Sequence, residues 1–191
     1  LIWQRNTGGW PKNVDMVTPL SDQQREVILK DKQVTDDSTI DNGATTTQMN
    51  FLARLYQQTK DEHYREAFQK GVHYILGGQY ENGGWPQFWP TKRDYQVQIT
   101  YNDDAMVNIL IMMRDILKGK EQYAGLSDDL LNELIDKAFK KGIECILNTQ
   151  IKVDDTLTVW CQQHDRKTLY PTYARSYEIP SYCSQESAAI V

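Results

Sequence analysis

Hydrophobic residues recur with the period of a helix in two stretches of this chain that resemble each other. Residues Glu66–Gln79 (EAFQKGVHYILGGQ) and Lys137–Gln150 (KAFKKGIECILNTQ) align at an offset of 71 positions (137 − 66). In the first copy, the apolar residues Phe68, Val72 and Ile75 share one face of a helix with 3.6 residues per turn. The pattern therefore predicts two equivalent amphipathic helices within an internal repeat.

Three tryptophans mark the same place in successive copies of this repeat. Trp10, Trp85 and Trp160 are 75 residues apart each time (85 − 10 and 160 − 85), and the first two follow Gly-Gly and precede proline. That spacing is too long for a simple solenoid of helical pairs, and it fits two helices plus a long loop. An indole in such a loop can stack on a sugar ring or fill the core. Trp85 is therefore a candidate substrate-binding residue, with burial in the core as the alternative.

A polar cluster precedes the next helical pattern in each copy. The clusters are Asp41-Asn42-Gly43-Ala44, Asn102-Asp103-Asp104-Ala105 and Gln185-Glu186-Ser187-Ala188. Asp, Asn and Ser favour helix starts because their side chains accept hydrogen bonds from unpaired first-turn amides. Two adjacent acids, however, exceed what one helix cap needs. Asp41, Asp103 and Asp104 are therefore candidate metal ligands, with helix capping as the structural alternative.

The repeat predicts an all-α fold. Helical pairs with long loops can close a core by curving into a double-layered α/α ring whose loops gather at one end. We expect residues 1–191 to form a single catalytic-type domain with the architecture of an incomplete α/α toroid. The third polar cluster lies only a few residues before Val191, so we also expect the chain to be truncated at its C-terminus.

Composition narrows the function. The chain has 40% hydrophobic and 25% charged residues and no apolar run long enough to cross a bilayer, which is typical of a soluble protein. Its formal net charge of −5 argues against a nucleic-acid surface and against any polyanionic ligand unless cations are concentrated locally. Lys12, Lys92 and Arg93, beside the Trp-Pro loops, are candidates for that role, with solvated loop charges as the alternative.

Five segments, in order along the chain, resemble the pectate lyases of polysaccharide lyase family 10. They are Gly8-Gly9-Trp10-Pro11-Lys12-Asn13, Thr39-Ile40-Asp41-Asn42-Gly43-Ala44-Thr45-Thr46, Thr100-Tyr101-Asn102-Asp103-Asp104-Ala105-Met106, Trp160-Cys161-Gln162-Gln163-His164-Asp165 and Tyr173-Ala174-Arg175-Ser176-Tyr177-Glu178. Each alone is a weak motif, but five in order on a helical repeat make coincidence implausible. The resemblance spans nearly the whole chain.

This resemblance implies an α/α toroid that cleaves homogalacturonan (polygalacturonate) with the help of Ca²⁺. It implies calcium ligands at Asp41 and Asp103, with Asp104 as a less direct third, and an orienting role for Asn42. It implies that Arg175 is the base that abstracts a proton. An ion pair between Arg175 and Glu178 is the structural alternative for that arginine.

The implied chemistry is demanding. β-Elimination removes the C5 proton beside a uronate carboxylate, which requires that the carboxylate charge be neutralised and the developing enolate be stabilised. Ca²⁺ prefers carboxylate and carbonyl oxygens, and carboxylates of the substrate can complete its shell. An exposed arginine keeps its proton far above neutral pH, so Arg175 can act as a base only where neighbouring cations disfavour its charged form.

His164 is also a candidate substrate-binding residue. Its neighbour Asp165 suggests a general base, but adjacent residues seldom form the necessary hydrogen bond, so support of the loop is the alternative.

Two other functions remain open. A non-catalytic pectin-binding fragment would keep the tryptophans and calcium without needing Arg175. An isoprenoid cyclase or transferase would share the toroid and its acidic clusters, but it would have an aromatic-rich cavity, whereas the chain has 10% aromatic residues. We expect a monomer that acts on pectin, without nucleic-acid or membrane partners. We expect it to be secreted or exported to the cell envelope, although no export signal is visible.

Overall fold

A computed structural model describes residues 1–90 and 94–191, so the candidates Lys92 and Arg93 lie outside the described residues. The helices are α1 (Asp22–Asp31), α2 (Thr46–Thr59), α3 (Glu62–Gly78), α4 (Ala105–Leu117), α5 (Asp129–Thr149) and α6 (Ser184–Ile190). The strands are β1 (Ile99–Thr100), β2 (Lys152–Val153), β3 (Thr156–Leu157) and β4 (Gln163–His164). Strands of two residues do not build a sheet core, and the predicted all-α class is confirmed.

The four longest helices pack as two neighbouring pairs. Consecutive helices α2 and α3 pack together, as do α4 and α5, and the second pair lies against the first through α2 with α4 and α3 with α5. The side chains of Asp61 and Asp128 accept hydrogen bonds from first-turn amides of α3 and α5. The left-handed residue Lys60 ends α2 and turns the chain into α3.

The repeat is visible in the loop hydrogen bonds. Each of the three tryptophan carbonyls accepts a backbone N–H from the residue two positions before the following polar cluster. The pairs are Thr39 to Trp10 (3.1 Å), Thr100 to Trp85 (3.1 Å) and Cys183 to Trp160 (2.9 Å). The amide groups of Gln4 and Gln79, 75 residues apart, likewise donate at 2.8 Å to the equivalent carbonyls of Ala67 and Ala138. The predicted repeat is therefore a structural one.

The core runs continuously through both helical pairs. Its fully buried side chains include Phe68, Met49, Tyr101, Met106 and Ile135. The three cysteines, Cys145, Cys161 and Cys183, are buried and free. Within the described residues, no helix is both long and apolar enough to span a membrane.

One helix was not predicted. Helix α1 has a low proportion of buried residues, with Ile28 the buried one, so it lacks the strong apolar stripe of α3 and α5. Its start nevertheless carries a capping box, in which the side chain of Ser21 and that of Gln24 each accept from the other's backbone amide. That local signal, rather than hydrophobic periodicity, marks α1 in the sequence.

Candidate active site

Two short 3₁₀ turns bring the acidic clusters together. The Asp41 turn (Asp41–Gly43) precedes α2, and the Asp103 turn (Asn102–Asp104) precedes α4. Both turns have a left-handed residue at the same position, Asn42 with φ 52° and Asp103 with φ 51°, as short polar side chains tolerate. The two turns pack against each other, so acids separated in sequence meet at one end of the helical pairs.

The Asp41 and Asp103 carboxyl groups face one another. Asp41 is 5% exposed, whereas Asp103 is an exposed residue. Partial burial, followed by the charge of Asp41 and a hydrogen bond with its side chain, raises the pKa of Asp103 above that of an ordinary aspartate. Two carboxylates held this close repel each other when both are ionised, and a bound cation relieves that repulsion.

The helix-capping alternative does not account for these acids. Helix α2 begins after Thr45 and α4 after Asp104, and neither helix has a side-chain cap. Asp104 is half-buried and left-handed, with φ 57°. Within the described residues, no group of three or more His, Cys, Asp or Glu side chains forms a metal-binding cluster. The described residues thus bring together two carboxylates, those of Asp41 and Asp103, and Asp104 follows Asp103 in the same turn.

Lys12 joins this pair from the first tryptophan loop. Its ammonium group donates to the Asp41 carboxylate in a partly buried ion pair and lies 5.6 Å from the centroid of the Phe88 ring. Its positive charge lowers the pKa of Asp103, opposing the effects of burial and of Asp41. Next to it, the Asn42 amide group donates to the Asn13 side chain at 3.3 Å. Asn13 was not predicted, although it directly follows Lys12 in the first motif.

The antiparallel pair of strands β1 and β4 positions the loop with Arg175 near Asp103. Strand β4 pairs with β1, which leads directly into the Asp103 turn. The amide of Thr172 donates to the Gln163 carbonyl of β4 at 3.0 Å, and the loop with Arg175 follows. The positive charge of Arg175 is the smallest of the contributions to the pKa of Asp103, and it lowers that pKa. The fold thus brings the last motif near the third one.

Arg175 is paired with Glu178. Its Nε donates to Oε2 at 2.8 Å and its Nη2 donates to Oε1 at 2.5 Å, which is a two-pronged ion pair. The guanidinium also lies 5.1 Å from the Tyr177 ring centroid. The hydrogen bonds that Arg175 donates to Glu178 raise the pKa of Arg175 above its already high ordinary value. Any role of Arg175 therefore depends on its ion pair with Glu178. The sequence had suggested this ion pair only as the structural alternative for Arg175.

The structure corrects two candidate residues. Trp85 is 1% exposed, and its indole N–H donates to the Ile75 carbonyl at 2.8 Å, so no face of the ring can receive a sugar. His164 is fully buried, and its two ring nitrogens bind the backbone at Cys161 (3.1 Å) and Leu169 (2.9 Å). Both residues hold loops in position, because neither has a free polar group or an open ring face toward solvent.

Comparisons with known proteins identify the family of this chain. The profile of the pectic acid lyase family matches residues 4–191. The family 10 polysaccharide lyase from Cellvibrio cellulosa is similar at 32% identity with a TM-score of 0.84, over 98% of this chain and 56% of that one. A mutant of that enzyme in complex with trigalacturonic acid matches at 32% identity with a TM-score of 0.85 and the same coverage.

The chain thus spans a little over half the length of the solved structures that it matches. A search of curated protein sequences gave no significant match. The family profile covers nearly every residue, including all five motifs, and the structural match extends over the same length. This chain belongs to the pectic acid lyase family.

Proposed function

We propose that this chain forms the catalytic part of a pectate lyase that cleaves polygalacturonate by β-elimination. The observation that carries the proposal is the approach of Asp41 and Asp103, which open different repeats, with Lys12 and Arg175 near them. Oxygen ligands that repel each other suit a cation, and adjacent cationic side chains suit a uronate chain. The similar enzyme solved with trigalacturonic acid supports the choice of substrate.

The residues at this site fit Ca²⁺. Asp41 and Asp103 would hold it, with Asp104 as a third oxygen donor and Asn42 orienting a ligand or substrate oxygen. Two to three protein ligands leave coordination positions that carboxylates of the substrate can fill. When bound, calcium would neutralise uronate charge and make the C5 proton more acidic.

In this proposal the chain's own residues bind the substrate and move the proton. Lys12 binds a uronate carboxylate as a point charge, while its contact with Asp41 fixes its position. Arg175 takes the C5 proton, which requires that its guanidinium first lose a proton and leave Glu178. The C5–H electron pair then forms the C4=C5 double bond as the C4–O bond to the leaving sugar breaks, and the leaving oxygen takes a proton from water. Lys92 and Arg93, which follow Trp89 in the sequence and lie outside the described residues, remain proposed substrate contacts.

The test uses the full-length protein with polygalacturonate and Ca²⁺. Elimination, unlike hydrolysis, generates a conjugated unsaturated uronide that absorbs ultraviolet light. We expect Arg175→Ala and Arg175→Lys to lose elimination by at least about a hundredfold, within the range contributed by general bases. Lysine fails because a compact ammonium does not reproduce the position and fork of the guanidinium. Arg65→Ala is the control, since Arg65 also pairs with a glutamate, three residues before it in α3.

Near-native turnover of Arg175→Ala would contradict the assignment of the base. Loss of substrate binding along with turnover would make Arg175 a substrate clamp instead. A wild-type protein that binds trigalacturonate but produces no unsaturated uronide would support the non-catalytic pectin-binding alternative. The family match favours a lyase over an isoprenoid cyclase or transferase. We also propose that the protein is exported, because its polymeric substrate lies outside cells. We further propose that it acts as a monomer.

A further inference from the structure

Glu178 occupies the two Arg175 nitrogens that a uronate carboxylate would otherwise use. The ion pair joins Nε to Oε2 and Nη2 to Oε1, the geometry in which arginine binds any carboxylate. We propose that Glu178 is the positioning residue of Arg175, which it holds away from Asp41 and Asp103 until a uronate carboxylate of the substrate displaces it. This inference rests on the proposed function and adds to it a competition between an internal and an external carboxylate.

The loop fixes Glu178 more firmly than Arg175. The backbone amide of Glu178 donates to the Arg175 carbonyl at 2.8 Å, and the Ala174 amide donates to the Glu178 carbonyl at 3.1 Å. The Glu178 carboxylate also accepts from the Arg175 backbone amide at 3.0 Å. The Glu178 side chain is 12% exposed, whereas that of Arg175 is 51% exposed. When the pair opens, Arg175 is therefore the partner that moves.

Arg175 is held near the acids but not on them. Within the described residues, it forms no ion pair with Asp41, Asp103 or Asp104, although its charge contributes to the pKa of Asp103. Lys12 is the cation that pairs with Asp41. Since an ion pair with an exposed partner is weak in water, a uronate carboxylate anchored beside Lys12 can compete with Glu178. Substrate binding is thus coupled to the release of Arg175.

The charges around Arg175 explain why release matters for proton transfer. The groups that act on it are Glu178, Tyr177 and Tyr95, all of which raise its pKa. Asp103 is an acid on a neighbouring turn, and the charge of Arg175 lowers its pKa. A guanidinium paired with Glu178 holds its proton more tightly than a free one, so the paired form cannot accept a proton from C5. Displacing Glu178 removes the largest of these effects, and the uronate carboxylate that replaces it raises the pKa of Arg175 less, because Lys12 shares its charge.

The test compares Glu178→Gln with wild type in the full-length protein. Glutamine keeps the size and an acceptor oxygen of glutamate but removes its charge. We expect the affinity for trigalacturonate, measured by calorimetry, to rise by about two- to fivefold and KM for polygalacturonate to fall by the same factor. This factor corresponds to the loss of one exposed ion pair that competes with the substrate. In the pH profile of kcat/KM, the limb that rises with pH should shift to lower pH by about one unit. At a fixed pH on that limb, the variant should therefore be about tenfold faster than wild type.

Glu62→Gln is the matched control. Glu62 also pairs with an arginine three residues away, since its Oε2 lies 3.1 Å from Nη1 of Arg65 in α3. This variant should leave the affinity and the pH profile unchanged. Unaltered affinity in Glu178→Gln, or a rate that falls equally at every pH, would overturn the inference and leave Glu178 as simple support of the loop. Affinity does not depend on turnover. A wild type without lyase activity would therefore defeat the proposed function, while the ratio of affinities would still decide this inference.

Discussion

The carboxyl group of Asp103 lies close enough to Asp41 for the charge of Asp41 to raise its pKa, although the two residues stand at the starts of different repeats. Burial and this neighbour raise the pKa of Asp103, so ionising both groups is unfavourable in the absence of a cation. The repulsion between the two carboxylates therefore destabilises the fold, and a bound cation would relieve it.

We expect Asp103→Asn to weaken calcium binding by at least about tenfold, since even residues that only support metal ligands contribute that much. Isothermal titration calorimetry with Ca²⁺ measures the loss. Asp136→Asn is the control, because Asp136 is an exposed acid paired with Lys140 on α5 and should not alter binding. Equal affinities in the wild type and the Asp103→Asn variant would place the calcium site elsewhere.

Trp85 and Trp160 should both contribute to stability. Trp160 donates its indole N–H to the Ile146 carbonyl at 2.8 Å, and Ile146 is the repeat equivalent of Ile75, the partner of Trp85. Replacing either by Phe removes a donor from a buried carbonyl, so we expect each variant to lose about 1–3 kcal/mol of unfolding free energy. The Ile146 carbonyl keeps the Thr149 hydroxyl as a donor at 3.0 Å, so the loss should be smaller for Trp160→Phe. Urea denaturation measures the loss.

Trp3→Phe is the control, because Trp3 is only partly buried at the edge of the core and should lose less. Trp85→Phe should also leave KM for polygalacturonate unchanged. A large rise in KM with little loss of stability would restore Trp85 as a sugar-binding residue.

Gly83 cannot be replaced without distorting the repeat. Its φ is +91°, and a Cβ would lie 2.0 Å from the Lys141 carbonyl oxygen. The equivalent Gly8 has φ +96° and the same conflict with Lys70 at 2.3 Å. We expect Gly83→Ala to lose at least about 2 kcal/mol more unfolding free energy than Gly119→Ala, in which only backbone strain is introduced.

Gly119 is a suitable control because it also has a positive φ, +64°, but nothing lies within 4 Å of an added Cβ. Thermal and urea unfolding of both variants compare the two effects. Equal losses would mean that the loop moves away from α5 at little cost.

His164 should make stability depend on pH. Burial lowers its pKa below the ordinary 6.5, which outweighs the raising effect of the hydrogen bond with Leu169. Between its folded and unfolded pKa values the unfolded chain binds more protons, so stability from this group is present above about pH 6.5 and is lost as pH falls. Protonation would also turn the acceptor nitrogen that faces the Cys161 amide into a donor.

We therefore expect the unfolding free energy to decrease between pH 7 and pH 5, and His164→Gln to reduce that decrease while lowering stability at pH 7. His63→Gln is the control for an exposed histidine, whose pKa is raised by Asp61. A pH dependence that is identical in wild type and His164→Gln would contradict the role of His164.

Local patterns in the sequence were sufficient for the repeated elements. The matching stretches around Phe68 and Phe139 lie within α3 and α5, and the polar clusters precede α2 and α4, because amphipathic periodicity and helix-start chemistry act over a few residues. Helix α1 escaped prediction because its face is mostly exposed. The five motifs also identified the family before any contact was known.

Only the tertiary structure decided which candidate side chains can reach a ligand. Trp85 belongs to the repeated tryptophans and His164 to one of the five family motifs, yet burial and backbone hydrogen bonds make both structural. Exposure and pairing depend on contacts between residues far apart in the chain, which no local pattern encodes. The approach of Asp41 to Asp103 follows from the packing of α2 and α4, so the sequence determined which residues could carry the chemistry, and the fold decided which of them meet.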